Sequence, residues 1–245
     1  MRNIIVTGGN RGLGEGVASH FLQVGESVCV TVRSSLGAEM VHAWHERLMQ
    51  NHPSLGKLTI VHWDANHPER IQPEFEHLLR ICDVLVNNAG WEADLGIPCP
   101  PEQDHNILFQ ESEILMKALQ INANAPRVLM GKVIEGMVSR EYGRIVNVAS
   151  ARAKVVERVG DNNTPAYRLS KGALVLVTKE AAHEWAVPNV KINALCPGWC
   201  KTRMGGQQAP EDVSFGVQRI VEVCNLPNDG PTGQFWSDGV VSPLA

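Results

Sequence analysis

The sequence predicts an α/β fold, a single doubly wound domain whose parallel sheet carries helices on both faces. Three observations carry that expectation. Short β-rich runs alternate with longer helical stretches along the chain. The strand runs are apolar throughout, as strands buried on both faces must be. A glycine-rich turn joins the first strand to the first helix. No break in composition, internal repeat or low-complexity tract interrupts the pattern, so residues 1–245 are read as one domain.

The elements follow in order. "NIIVT" (3–7) is the first strand. A helix over about 12–24 places Val17, Ala18, Phe21 and Leu22 on one face. "SVCVTVR" (27–33) is a strand, 37–51 a helix, "KLTIVHWD" (57–64) a strand and 68–81 a helix. "DVLVNNAG" (83–90) is a strand running into a loop rich in proline and acid, 91–105. A long helix over about 109–139 contains Pro126. "GRIVNVAS" (143–150) is a strand, 165–186 a helix and "VKINALCPG" (190–198) a strand. A helix near 211–224 and a short strand "GQFW" (233–236) close the pattern.

Composition narrows the function classes. Apolar residues make up 44% and charged residues 20%, ordinary values for a globular chain able to bury a core without staples. A net charge of −4 argues against a non-specific grip on nucleic acid or an anionic membrane. No run reaches the length of a membrane span. The N-terminal apolar run leads straight into glycines, which fits a strand and not a signal peptide. Six cysteines form no CxxC pair and no zinc-type spacing, and nine histidines form no HExxH or similar constellation. Buried free thiols and a reducing, cytoplasmic compartment are expected, with no metal.

The first strand ends in "TGGNRGLGEG". Gly8, Gly12 and Gly14 stand between strand and helix, where glycine lets the backbone approach a diphosphate and the helix offers free N–H groups. The alternative is a glycine-rich turn without a ligand. The end of the second strand discriminates between cofactors. An acid is expected there, roughly 20 residues past the glycines, if a ribose 2′-OH is to be bound. Arg33 occupies the place, and Arg11 lies inside the loop. Two arginines suit a 2′-phosphate, so NADP(H) is expected. A solvated strand end is the other reading of Arg33. Asp64, with Ala65 beside it, is placed to bind an adenine amino group, or else to cap the following turn.

Four motifs now stand in order: "TGGNRGLG", "NNAG" at 87–90, "YRLSK" at 167–171, and "PG" followed by a threonine at 197–202. With them the chain resembles the short-chain dehydrogenase/reductases over essentially its whole length. The segments "CPGWCKTRMGG" and "GPTGQFWSDG" are most similar to the cytosolic carbonyl-reductase type. The resemblance implies a Rossmann-like domain with a seven-stranded parallel sheet, a cofactor half over about 1–150 and a catalytic and substrate half over about 151–245. It implies hydride transfer between NADP(H) and a ketone, aldehyde or quinone. It carries cofactor contacts over to Gly8, Asn10, Arg11, Gly12, Leu13 and Gly14. The second motif, at Asn87, Asn88, Ala89 and Gly90, supports the sheet centre and lines the cleft. Pro197, Gly198, Trp199 and Thr202 match the segment along the nicotinamide. Family members include monomers, dimers and tetramers, and the sequence leaves the choice open.

The chemistry needs a proton donor at a carbonyl oxygen. A free tyrosine titrates near ~10, and a nearby ammonium stabilises the phenolate. Tyr167 and Lys171 lie i and i+4 on one helix face, so Tyr167 is assigned as general acid/base. Lys171 tunes it and, by resemblance, holds the nicotinamide ribose. Ser150 ends a strand at the ligand-binding edge and can donate to the substrate oxygen. Ser170 is the weaker serine candidate, on another side of the helix. The gap from Ser150 to Tyr167 is 17 residues, longer than the family's usual dozen, and implies an extended loop over 151–164. Pro126 removes a backbone donor, which supports a kink near Asn122. In the family an asparagine there joins a proton relay through water to the lysine. A buried helix residue with local bonds is the alternative for Asn122 or Asn124. Trp91, Trp199, Met204 and the two loops are expected to shape the substrate cleft, with core packing as the other reading of Trp91. The same residues would serve an alcohol dehydrogenase running in reverse, and a non-catalytic NADP(H)-binding sensor would not need all four catalytic groups.

Overall fold

The computed structural model describes residues 1–92, 111–154 and 164–242. Most of the 91–105 and 151–164 loops, residues 109–110, Cys99 and the last three residues lie outside the described residues.

The strands are β1 (Asn3–Thr7), β2 (Ser27–Val32), β3 (Leu58–His62), β4 (Val84–Asn87), β5 (Gly143–Val148), β6 (Val190–Leu195), β7 (Phe235–Ser237) and β8 (Val240–Val241). They form one sheet in the order β3-β2-β1-β4-β5-β6-β7-β8. The first seven run parallel, as expected. An eighth, two-residue strand pairs antiparallel with β7, in register Trp236 to Val241 and Ser237 to Val240. It is too short to leave a pattern in the sequence.

The helices are α1 (Gly12–Gln23), α2 (Ser35–Asn51), α3 (Pro73–Arg80), α4 (Ser112–Leu119), α5 (Ala125–Ser139), α6 (Pro165–Glu184) and α7 (Val213–Cys224). Successive strand residues point to opposite faces, which is why the strands read as unbroken apolar runs. Ile4 and Val6 of β1 pack with Val17, Phe21 and Ile220 on the α1/α7 side. Ile5 between them packs with Phe75, Leu129 and Val133 on the α3/α5 side. A third cluster joins Leu174 and Val175 of α6 to Ala194 and Phe235.

The long helix expected over 109–139 is interrupted. A π-turn, Gln120–Asn124, separates α4 from α5, and the Ala125 N–H reaches back to the Gln120 carbonyl. Pro126 sits in the first turn of α5, where its missing donor is tolerated. Such π-turns concentrate at functional sites. This one carries Asn122.

Strand order reverses between β1 and β4. In an open α/β sheet that switch point opens a crevice at the carboxyl ends of the strands. The loops after β1, β4, β5 and β6 therefore converge at one edge.

Candidate active site

A cleft of about 800 Å³ runs along that edge. Its walls include Gly8, Asn10, Arg11, Gly12 and Leu13 after β1, then Arg33, Asp64 and Ala65 past the ends of β2 and β3. Asn88, Ala89 and Gly90 follow from β4, Tyr167 and Lys171 from α6, and Pro197 and Thr202 from beyond β6. Another depression of about 820 Å³ lies between α1 and α7, but none of the motifs contributes to it. The chemistry is concentrated in the first.

The glycine loop has the shape of an anion cradle. Gly8 and Gly12 hold φ of +67° and +58°, a left-handed backbone that side chains disfavour. A Cβ on Gly14 would strike the Gly8 carbonyl and lie 2.6 Å from Asn88 Nδ2. Arg11 at the helix N-cap supplies no side-chain cap, so the first amides of α1 stay open for a phosphate. The NNAG segment pins this loop to the sheet. Asn88 Nδ2 donates to the Thr7 carbonyl at 2.9 Å and to the Gly8 carbonyl at 3.2 Å. Thr7 Oγ1 accepts from the Asn88 and Ala89 amides at 3.0 and 2.9 Å. Asn87 instead turns under the sheet, donating to Asn147 Oδ1 at 2.7 Å.

Arg33 stands just past the end of β2 and is exposed. Burial, and then the charges of Arg203 and Arg33, lower the pKa of Arg11. Three arginines thus gather at one stretch of cleft, and none makes a salt bridge among the described residues. Such a cluster suits a polyanion. Asp64 lines the cleft, and its Oδ1 accepts from the Asn66 amide at 3.0 Å, capping the turn. Burial raises its pKa, but the Asn66 hydrogen bonds with Arg33 and His67 leave it below the usual value.

At the other end, Tyr167 and Lys171 are buried, 9% and 3% exposed, with Lys171 Nζ 5.7 Å from the tyrosine ring centroid. Lys171 Nζ donates to the Val148 carbonyl at 2.7 Å. Burial lowers its pKa to about 8, against the raising effect of Glu92 and Cys196. Burial raises the Tyr167 phenol well above its ordinary value. Glu92 and Cys196 add to that, and Arg152 and a Ser150 hydrogen bond oppose it. Desolvation is the largest influence on the phenol, and the same desolvation weakens the ammonium beside it. The tyrosine hydroxyl lies 3.9 Å from Met204 Sδ.

Ser150 lies just outside β5, before a 3-10 turn, Ala151–Ala153, and its Oγ accepts from the Arg152 amide at 3.3 Å. Asn122 lies behind the cleft wall and is fully buried. It holds the segment after NNAG in place: Oδ1 accepts from the Trp91 amide at 2.8 Å and Nδ2 donates to the Trp91 carbonyl at 2.7 Å. Nδ2 also donates to Ser170 Oγ at 2.9 Å, so Ser170 is a buried strut facing Asn122. Trp91 lines the cleft under the Lys117 ammonium, 4.6 Å from its ring centroid. Of the site residues expected from the sequence, Gly14, Asn122, Ser150, Gly198 and Trp199 are not part of the cleft lining. Trp199 is 52% exposed, its Nε1 donating to the Gly205 carbonyl at 2.7 Å. Gly198 takes φ of +96° at the turn that leads there.

Sequence reasoning missed Arg203, Glu92 and Arg152. Each is a charged residue within two positions of a motif: beside Thr202, after Gly90 and after Ser150.

The short chain dehydrogenase family profile matches residues 2–212. The 3-oxoacyl-acyl-carrier-protein reductase FabG of Chlamydia pneumoniae is 29% identical over 207 residues, covering 83% of this chain and 75% of that protein. Oxidoreductase UcpA of Escherichia coli is 29% identical over 240 residues, covering 95% and 85%. Among solved structures, carbonyl reductase Sniffer of D. melanogaster superposes with a TM-score of 0.77 at 25% identity, covering 100% of both chains. With that profile over most of its length, and its motifs converging on one cleft, the chain belongs to the short-chain dehydrogenase family.

Proposed function

We propose that the protein is an NADPH-dependent carbonyl reductase acting on small ketones, aldehydes or quinones. The observation that carries this reading is the arrangement along one cleft, with a proton donor at one end and an arginine cluster at the other. When bound, the reduced nicotinamide supplies the hydride. The chain's own residues do the rest. The open amides of α1 receive the diphosphate, and Arg33 with Arg11 receives the 2′-phosphate. Lys171 is positioned for the ribose. Tyr167 holds its proton at Oη, and the raised pKa keeps it there until alkoxide character develops on the substrate oxygen. Ser150 orients that oxygen. The phenolate left behind is stabilised by Lys171 and reprotonated from solvent through the buried polar groups around it. Carbonyl, hydride and proton sum to the alcohol.

A phenol that holds its proton at neutral pH is in the form a proton donor to the carbonyl oxygen needs. Met204 beside the hydroxyl presents an apolar wall to the substrate. The names of its relatives, a 3-oxoacyl reductase and a carbonyl reductase, fit the same substrate class. The five described cysteines carry free, buried thiols, as a reducing compartment such as the cytoplasm would leave them. The experiment is a screen of aldehydes, ketones and quinones with NADPH and with NADH, followed by cofactor absorbance. Turnover with NADPH supports the reading. Binding of NADPH with no turnover across the panel would turn it toward a sensor.

A further inference from the structure

Two charged groups and one hydroxyl near the tyrosine belong to three different segments. Glu92 follows NNAG at the end of β4, Arg152 lies two residues past Ser150, and Thr164 is the N-cap of α6, three residues before Tyr167. One guanidinium nitrogen joins them. Arg152 Nη1 donates to Glu92 Oε1 at 2.8 Å and to Thr164 Oγ1 at 2.6 Å. The ion pair is largely withdrawn from solvent, its side chains 22% and 11% exposed for Arg152 and Glu92. Thr164 is a good capping residue, yet its hydroxyl makes no cap bond to α6 and is given to the arginine instead.

We propose that Glu92 and Arg152 are positioning residues for the reaction proposed above: their salt bridge fixes the Ser150 turn and the start of the tyrosine helix against the end of β4. It also sets one negative and one positive charge beside the phenol. The proposal rests on Tyr167 being the proton donor.

Two physical points support it. A buried ion pair gains little net stability, because desolvation offsets the Coulomb attraction, so geometry is what such a pair supplies best. Glu92 also lies in the cleft wall itself. The groups that bear on the phenol come from every neighbouring element. They are Glu92 after β4, Ser150 and Arg152 after β5, Cys196 after β6 and Lys171 on α6. Glu92 raises the tyrosine pKa and Arg152 lowers it. A purely structural tie would not distinguish the two partners. An electrostatic one must.

The test compares Glu92→Gln, Arg152→Gln and the double variant, using the best carbonyl substrate from the screen and NADPH. Each single variant should lose about 10–100-fold in kcat through misplacement, with NADPH affinity unchanged by fluorescence titration. The alkaline limb of the pH–rate profile, which Tyr167 and Lys171 set together, should move to lower pH in Glu92→Gln, because the carboxylate raises both pKa values, and to higher pH in Arg152→Gln, because a cation lowers them, by about half a pH unit or more. The double variant should return the limb near its original position while kcat stays low. A second readout needs no substrate. The chain has two tyrosines, so a Tyr142→Phe background leaves Tyr167 as the only tyrosinate signal, and its alkaline onset should move in the same two directions. Circular dichroism on the same samples confirms folding. Limbs that stay fixed, or move the same way in both variants, overturn the proposal. An active Tyr167→Phe variant would instead remove the reading beneath it.

Discussion

Replacing Lys171 by methionine should stabilise the cofactor-free protein while abolishing turnover. The lysine is buried among α6, β5 and the NNAG loop and makes no salt bridge among the described residues, although the charge of Glu92 partly offsets the effect of burial. Its pKa falls from the ordinary 10.5 to about 8. At about 1.36 kcal/mol per pH unit, holding the ammonium there costs roughly 3 kcal/mol. Methionine keeps most of the aliphatic volume and removes the charge, but gives up the hydrogen bond to the Val148 carbonyl, worth about 1 kcal/mol. The net gain is about 1–2 kcal/mol, or roughly 2–8 °C in melting temperature for a chain of this size. The sign with pH follows from linkage. The folded state binds fewer protons than the unfolded state between about pH 8 and the ordinary lysine value. The cost is therefore fully present below pH 8 and fades as pH rises toward 10.5. The tyrosine's raised pKa acts in both proteins and cancels in the difference. Calorimetry of both proteins at pH 7 and pH 10 measures it. A variant less stable than the parent at pH 7, or a gain unchanged at pH 10, would refute the reasoning.

Three further outcomes are expected. Arg33→Asp should lower the NADPH-over-NADH preference in dissociation constants by about 10–100-fold, the worth of a charge-assisted bond, as read by cofactor fluorescence. An unchanged ratio would remove Arg33 as the selector. Asn122→Ala breaks the bonds to both Trp91 backbone groups and to Ser170 and should cost about 2–4 kcal/mol. Urea unfolding checks it, and a loss under about 0.5 kcal/mol, as at an ordinary surface site, would contradict the buried bonding. Gly14→Ala sets a methyl against the Gly8 carbonyl, which has no free rotor to move aside. It should lose NADPH binding in equilibrium titration, and normal binding would show that the loop tolerates the methyl group.

Much of the fold was legible because parallel strands buried on both faces leave apolar runs that only helices interrupt. Strand existence was read correctly even where ends moved by two or three residues, as at β3 and β4. The site was legible where chemistry fixes spacing, as in the glycine loop, NNAG and the tyrosine–lysine helix. What stayed hidden depends on contacts far apart in sequence. Arg144 is the second residue of β5, yet its guanidinium is buried and bonds carbonyls at Gly143, Asn189 and Leu226. No local pattern announces those acceptors. The π-turn at Asn122 was foreshadowed by Pro126 only as a kink. The Glu92–Arg152 pair bridges 60 residues. The direction of the tyrosine pKa shift depends on burial, which the i, i+4 spacing does not record.

The most direct test of the account is Tyr167→Phe, which removes one hydroxyl and leaves the ring, the cleft and the arginines in place. NADPH should bind with the parent's affinity and the same fluorescence change, while turnover of the best carbonyl substrate falls by about 10²–10⁴-fold, the usual worth of a positioned acid. Turnover near the parent's level, with binding intact, would contradict the assignment of Tyr167 as the proton donor.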